Sequence, residues 1–437
     1  MSNSIEGWQV EPLGQLSDIA IGGTPSRDVA KYWATDGQEG EPWVSIADMT
    51  RRVLFDTRER ITLAGVANSN VKRVSAQTVL MSFKLSLGKV AFAGLDLYTN
   101  EAIAAFRPGQ ALDSRFLYYA MPDAVSRTVT DVAIKGATLN KASLAAIRLR
   151  HPALPIQQRI AAILISLDNA IEATEALIEK HQQIKAGLMH DLFTRGVLPG
   201  GQLRPVHAVA PDLYRATPIG WIPADWEVSG LSAKQRPGEK WIRTGPFGSS
   251  LKGEHWVTSG HPVITIGALG EGEFLVGELL YVGAKDAARL FEFQLKAGDV
   301  VFSRVADVGR SVVVREQSAG WIMSSNLMRI AVDRDQVRPD YLQMLLAGDS
   351  RVKSQIRAKV NSGGREVANS QVLAQLRFAW PGSEEQDRIV ELGFVAMRRG
   401  EALESERFKL QLKKQGLMQD LLTGKVAVKV PEPAVPA

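Results

Sequence analysis

The chain has 437 residues, enough for two or three domains, with 45% hydrophobic and 23% charged residues, the balance of a globular protein. It contains no cysteine, which excludes disulfides and thiolate metal sites, and its six histidines show no ligand spacing, so no metal is expected. No apolar run approaches the roughly 18 residues of a membrane span, and Met1–Pro12 lacks a signal-peptide pattern, so a cytoplasmic location is expected.

The net charge of +5 is distributed unevenly. Residues 151–210 carry five basic and five acidic residues and 384–437 carry nine of each, so the whole excess lies in 1–150 and 211–383. A modest basic excess in those segments is compatible with nucleic acid as partner without demanding it.

In chain order, residues 1–152 read as a first globular domain. Short β-rich runs at Val79–Phe83, Lys89–Phe92 and Ala102–Phe106 are bounded by turn residues, and Ser114–Met121 reads as a short helix. Residues 153–196 read as one long helix, with Pro155 at its start, Gly196 at its end and apolar residues stepping by three or four from Ile160 to Leu192. Residues 197–223, rich in proline and glycine, read as a linker. A second domain spans 224–381, with strands expected at Val263–Ile266, Asp299–Ser303 and Ser311–Val314 and a helix at Pro339–Leu346. Residues 382–424 read as a second long helix, opened by a capping box at Ser383–Gln386, and 425–437 as a disordered tail. Gly393 and Gly400 are expected to interrupt this helix.

The two long helices are copies of each other. At a constant displacement of 229 positions, roughly a third of the residues from Asn140 to Val197 are identical, including Gln157 with Gln386 and Gly187-Leu188-Met189 with Gly416-Leu417-Met418. The duplication extends into the domains: Trp8 pairs with Trp226, Pro42–Ile46 with Pro262–Ile266, Thr99-Asn100 with Ser325-Asn326, and Arg115-Phe116-Leu117 with Asp340-Tyr341-Leu342. The chain is therefore two copies of one unit, a globular segment followed by a long helix. Trp8 and Trp226 are expected as core anchors. Gly187 and Gly416, mid-helix at equivalent places, each cost about 1 kcal/mol relative to alanine and suggest close approach of another helix, from the partner spacer or another subunit.

Motifs of catalysis are absent. There is no Pro-Pro dipeptide and hence no [DN]PP[YF] methyltransferase motif, no GxxxxGK[ST] phosphate loop, no GxSxG and no HExxH. No catalytic residue is assigned, and the chain is expected not to be an enzyme. For DNA, arginine can read guanine, asparagine adenine, and Ser, Thr and Lys can hold phosphates. Candidates in the first domain are Thr24, Ser26, Arg27, Lys84, Ser86, Lys89, Thr99, Asn100, Lys135 and Thr138. Those in the second are Ser249, Ser250, Lys252, Arg304, Arg310, Ser325, Asn326, Ser362 and Arg365.

With the repeated P-x-x-x-x-Q-x-R-I…K-x-G-L-M-x-D-L helix, the Gly-rich loops after each opening Trp, and Gly220-Trp221-Ile222-Pro223 before the second domain, the chain resembles the DNA specificity subunits of type I restriction–modification systems. In the second copy Ser383-Glu384 stands where that family usually has a proline. The resemblance implies an α+β fold of two tandem α/β target-recognition domains separated by two long helices that pack as an antiparallel coiled coil with pseudo-two-fold symmetry. It implies binding of double-stranded DNA at a bipartite, asymmetric site, one domain per half-site, the helices setting the gap. It also implies docking of methyltransferase subunits, two in number, and through them of restriction subunits. Adenine methylation and ATP-dependent cleavage would belong to that complex, with S-adenosylmethionine, ATP and Mg bound by the partner subunits and no cofactor by this chain. The residues expected to shape the spacers and dock subunits are Gln157, Arg159, Ile160, Leu167, Gly187, Leu188 and Leu192, with Gln386, Arg388, Ile389, Leu403, Leu410, Gly416, Leu417 and Leu421 in the second copy. A stand-alone DNA-binding protein descended from such a subunit, or a coiled-coil scaffold, are the alternative readings.

Overall fold

The computed structural model describes residues 7–429 except 36, 85, 132–139, 306–307 and 362–366. The tail from 430 onward thus lies outside the described residues, and 425–429 form neither helix nor strand. The chain divides into two compact units, Met1–Ala176 with Ser405–Ala437, and Leu177–Glu404. This division departs from the boundaries read in the sequence. Each unit holds one globular domain together with half of each long helix, because the helices pack antiparallel.

In the first unit, a five-stranded sheet takes the order Val53–Leu54, Val90–Ala93, Val79–Ser82, Ile103–Pro108, Ser17–Ile21. A second sheet has Glu41–Val44 between Glu59–Ile61 and Leu97–Thr99, with Arg73–Val74 at the edge. Here Val44 pairs with Thr99 in parallel register. The second unit repeats the plan. Val300–Ser303 lies between Ser311–Val313 and Leu327–Ile330, and Ile264 pairs in parallel with Met323. In both units a strand opening the domain pairs with the strand just before a long helix: Trp8–Pro12 with Arg148–Pro152, and Glu227–Ser229 with Phe378–Trp380.

The helix expected at Ser114–Met121 runs on to Asp131, and the one at Pro339–Leu346 ends at Gly348 and is followed by another, Ser350–Asn361. The long helices span Leu154–Thr194 and Ser383–Leu421. Gly393 and Gly400 do not interrupt the second. They make room: a Cβ on Gly393 would lie 2.9 Å from the Met344 sulfur, and one on Gly400 3.4 Å from the His181 ring. The capping box is also corrected, since the Gln386 side chain turns away from its helix end, as described below. The segment 197–223 is more than a linker. It forms the hairpin Tyr214–Thr217 with Gly220–Pro223, and its Arg204 pairs with the buried Glu385 on the second helix, which also accepts from Trp226 Nε1 at 3.1 Å. Trp226 is fully buried, whereas Trp8 is half-buried with its ring 6.4 Å from that of Phe116.

Each domain is fastened to its helix halves by a core. Leu13, Phe106, Phe116 and Leu117 pack with Ile160, Ala161, Leu164 and Leu421 in the first unit. Phe302, Tyr341, Leu342 and Trp380 pack with Leu192, Phe193 and Ile389 in the second. Within the first unit Asp168 meets Lys414, and within the second Met189 lies beside Gly393 and the Val197 N–H donates to Glu385. Numbers rise along one helix as they fall along the other.

Candidate DNA interface

In the first unit the Gly22–Arg27 loop lies on the Thr99-Asn100 turn. Gly23 N–H donates to the Thr99 carbonyl at 2.9 Å, and Asn100 N–H to that of Val44 at 2.9 Å. A Cβ on Gly22 would come within 2.1 Å of the Thr99 carbonyl oxygen, so only glycine lets the loop sit this close. Three candidates gather there around Glu101. Thr24 donates its hydroxyl to the Glu101 carboxylate, and Lys84 and Arg27 are close enough to act on it electrostatically. The Thr24 hydrogen bond, against partial burial and aided by Lys84 and Arg27, holds the Glu101 carboxyl below the usual carboxylate range. Arg27 is paired with Glu59 through both nitrogens and lies 3.7 Å over the Trp33 ring. To read a base it must exchange Glu59 for that base.

Asn100 uses its side-chain oxygen on the Ala102 N–H at 3.1 Å, which holds the turn. Ser26 is exposed, and its carbonyl accepts from Trp33 Nε1. Ser86 and Lys89 are exposed on the turn between Val79–Ser82 and Val90–Ala93. Thr99 is a correction: it is fully buried, because the parallel pairing with Val44 turns it inward, and it presents nothing to a ligand. Lys135 and Thr138, like Ser362 and Arg365, lie outside the described residues.

The second unit repeats the loop–turn geometry. Gly245 N–H donates to the Leu327 carbonyl at 3.0 Å, and a Cβ there would be 1.9 Å from the Ser324 carbonyl. Arg304 joins Ser325-Asn326, its own N–H donating to the Asn326 carbonyl at 3.1 Å and its guanidinium to that of Ser325 at 3.4 Å. Asn326 is exposed. Arg310 is the second correction. Its guanidinium donates to the carbonyls of Leu269 at 2.8 Å and Ile266 at 3.5 Å, which makes it a pin of its own domain. Ser249 and Ser250 fall in the turn Gly248–Ser250, where the Ser250 carbonyl accepts from Arg289; Lys252 follows, exposed.

Sequence reasoning missed Glu59 and Glu101, and three residues of the second unit. Phe247, in the loop after Gly245, is 86% exposed. Lys353 and Arg357 are exposed on Ser350–Asn361 and line a recess of about 240 Å³ with Arg310. The signal for the last two was present: Val352, Ile356 and Val360 step by four and are buried, which throws Lys353 and Arg357 outward.

On the long helices, Gln157 and Gln386 do one job twice, and it is internal. The fully buried Gln157 amide accepts from Asp113 N–H at 2.9 Å and donates to the carbonyls of Ala111 at 2.9 Å and Pro152 at 2.8 Å. Gln386, equally buried, accepts from Arg338 N–H at 2.8 Å and donates to the carbonyls of Gln336 and Pro381 at 2.9 Å. Ile160, Ile389, Leu192 and Leu421 are buried against the chain's own domains, and Leu167 and Leu403 are buried too, so these residues offer no docking surface. Arg388 donates to the Val197 carbonyl at 3.3 Å. Arg159, Gly187 and Gly416 are exposed, and Leu188, Leu410 and Leu417 half-buried. The expected approach of the partner spacer to the two glycines is not found: among the described residues nothing lies within 4 Å of a Cβ built on either. Phe408 and Leu412, 60% and 52% exposed, continue in steps of four to Gly416, and Leu177 and Ile184 are exposed along the stretch before Gly187. No cluster able to hold a metal ion occurs among the described residues, and no described helix is long and apolar enough to cross a membrane.

The model of the type I restriction modification DNA specificity domain matches residues 5–183. The MjaVIII type I restriction enzyme specificity subunit of Methanocaldococcus jannaschii is 21% identical over 379 residues, 84% of this chain and 84% of that one. Over these stretches the chain is similar to type I restriction–modification specificity subunits. The MjaIX specificity subunit of the same organism is 26% identical, but over only 43% of this chain and 44% of its own length. The crystal structure of the type I restriction–modification S subunit from M. genitalium shares the fold of this chain at a TM-score of 0.57, with 14% identity over 96% of this chain and 97% of that one.

Proposed function

We propose that this subunit reads DNA as a split site, one half in each globular domain, while its helices set the unread gap and seat two methyltransferase subunits that in turn recruit restriction subunits. The observation that carries this reading is the duplicated loop–turn cluster. Both domains press a glycine loop onto a Thr-Asn or Ser-Asn turn and surround it with hydrogen-bonding side chains: Thr24, Arg27, Lys84 and Asn100 in one, Arg304, Ser325 and Asn326 in the other. These are the side chains that read base edges and hold phosphates. Two such clusters with different residues suit two unlike half-sites. The exposed stripes of Phe408, Leu412 and Gly416, and of Leu177, Ile184 and Gly187, supply apolar seats on the helices for partner helices. Chemistry on the DNA is left to those partners, with S-adenosylmethionine, ATP and Mg in their sites.

The test is domain exchange in the assembled complex, read by mapping methylated bases on genomic DNA. Replacing residues 1–152 by those of a relative with another specificity is expected to change one half-site and leave the other and the gap intact. A change in both halves, or in neither, would refute the reading.

A further inference from the structure

The two domains are not held on the helices in the same way. In the first unit a polar lock sits two turns in from the core that fastens the domain. Tyr119 donates its hydroxyl to Asp168 at 2.5 Å, and the other oxygen of that carboxylate meets Lys414 Nζ at 2.6 Å. Beside them Arg52 donates to Asn169 at 2.6 Å and pairs with Glu172 at 3.0 Å. Tyr118 stacks on Phe92 with centroids 4.7 Å apart and meets the Tyr119 ring edge-on at 4.9 Å. Tyr119 and Asp168 are buried, so the bond between them is shielded from water and worth more than a surface contact.

The duplication shows what occupies the same places in the second unit. At the displacement of 229, Asp168 falls on Met397, Ile171 on Gly400, Glu172 on Glu401 and Lys414 on Lys185. Through Phe116 and Tyr341, Tyr118 falls on Gln343 and Tyr119 on Met344; through Pro42 and Pro262, Arg52 falls on Gly272. The geometry agrees with this counting. The nearest atoms to a Cβ built on Gly272 belong to Gln343, at 3.8 Å, and Met397, at 4.0 Å. Four lock residues, Arg52, Tyr118, Tyr119 and Asp168, are thus replaced by smaller or uncharged ones, Asn169 gives way to Arg398 and the neighbouring Ile171 to Gly400, while Lys185 and Glu401 keep their places. What remains is a cavity of about 580 Å³, lined by Lys185, Met344, Gln343, Met397, Gly400 and Glu401 among others. Among the described residues Lys185 has no ion-pair partner, in contrast to Lys414.

We infer that the first domain is held on its helix halves by an apolar core and a polar clamp, whereas the second lacks the polar clamp and has there only the apolar packing of Met344 on Gly393, so that the second pivots about its helix-end core. The pivot is the packing of Leu192, Phe193 and Ile389 with Tyr341 and the Gln386 hydrogen bonds. The missing clamp lies eight residues further along the helix, a lever of about 12 Å. The first domain is then the fixed reader, and the second is the one whose aim on its helices adapts.

The absence of native cysteine allows spin-label pairs to be placed uniquely in the full chain. Quasi-equivalent exposed positions are Arg58 with Lys409 in the first unit and Glu278 with Lys180 in the second. Pulsed electron–electron resonance on the R58C/K409C and E278C/K180C proteins is expected to give a distance distribution about twice as wide in the second unit. Met344→Tyr with Met397→Asp, which restores a phenol and a carboxylate beside Lys185, is expected to narrow it to the width of the first. Tyr119→Phe with Asp168→Asn is expected to widen the first. Equal widths in the unaltered protein overturn the inference, as does a folded Met344→Tyr/Met397→Asp protein whose width is unchanged. The wild-type comparison decides even if that double variant does not fold. No DNA is needed, so the outcome is independent of whether the domains read it.

Discussion

Replacing Gln157 by leucine keeps the volume of the side chain while removing its amide. Three backbone groups then lose this partner: the buried carbonyl of Pro152, the half-buried Asp113 N–H and the carbonyl of Ala111. An unsatisfied buried polar group costs about 1–3 kcal/mol and the less buried groups can turn to water, so the sum is about 2–4 kcal/mol. The loss should be local. These groups join the start of the helix at Ser114 to the start of the first long helix, all within the first unit. Because a chain of two units does not unfold in one step, the assay is native-state hydrogen exchange resolved by peptide, which gives a free energy for each region. Protection in Ser114–Asp131 is expected to fall by the stated amount, with Pro339–Gly348 unchanged; Gln386→Leu should do the reverse. A loss below about 1 kcal/mol, or one shared equally by both units, would refute the account of these glutamines as domain fasteners.

Inserting one helical turn between Gln158 and Lys185 in the first helix, with the matching turn in the second, is expected to lengthen the unread gap by about 2 base pairs, at ~1.5 Å per residue against ~3.4 Å per base pair, as seen in the methylated-base map. Gly22→Ala and Gly245→Ala should each abolish reading of one half-site while leaving the other, because their Cβ atoms would lie 2.1 Å and 1.9 Å from backbone oxygens. The Glu101 carboxyl titrates lower in the folded chain than in the unfolded one, so its tie to Thr24 contributes stability that is complete above the unfolded pKa and is lost as pH falls through the folded one. Protection of the Gly23 amide, corrected for intrinsic exchange, should therefore drop on acidification below about pH 4 in the wild type and be low and flat in Glu101→Gln.

The long helices and the doubling of the chain were legible because a period of three to four and a constant displacement survive in one sequence. The loop–turn clusters were legible in part, since Gly22-Gly23 and Thr99-Asn100 stand out as turn chemistry although nothing local says that they touch. What sequence could not give was partnership at long range. Gln386 has the residue type and position of a capping-box member, yet the half-buried N–H of Arg338 claims it. Gly393 and Gly400 have poor helix propensity, but Met344 and His181 fill the space they leave. Arg310 has the chemistry of a reader and is consumed by two backbone carbonyls. In each case the deciding partner is more than 40 residues away along the chain and comes close only in the folded unit.

The residues identical in both helix copies divide by burial, and the division says what each is for. Gln157 and Gln386, Ile160 and Ile389, and Leu192 and Leu421 are buried against the domains, so the fold of each unit accounts for them. Gly187 and Gly416 are exposed, touch nothing, and sit inside helices where alanine would be more stable by about 1 kcal/mol. Stability of this chain cannot account for a glycine placed at the same point twice; the need must lie outside it. A bare backbone at the end of an exposed apolar stripe admits another helix closely. Gly187→Ala and Gly416→Ala should therefore each stabilise the isolated chain by about 1 kcal/mol in hydrogen exchange of the surrounding helix, while Gly→Leu at either position weakens assembly with the methyltransferase subunits. The readout is the stoichiometry of the purified complex by native mass spectrometry: one methyltransferase subunit should be lost for each position altered. Full assembly with both glycines replaced by leucine would show that these stripes are not the seats.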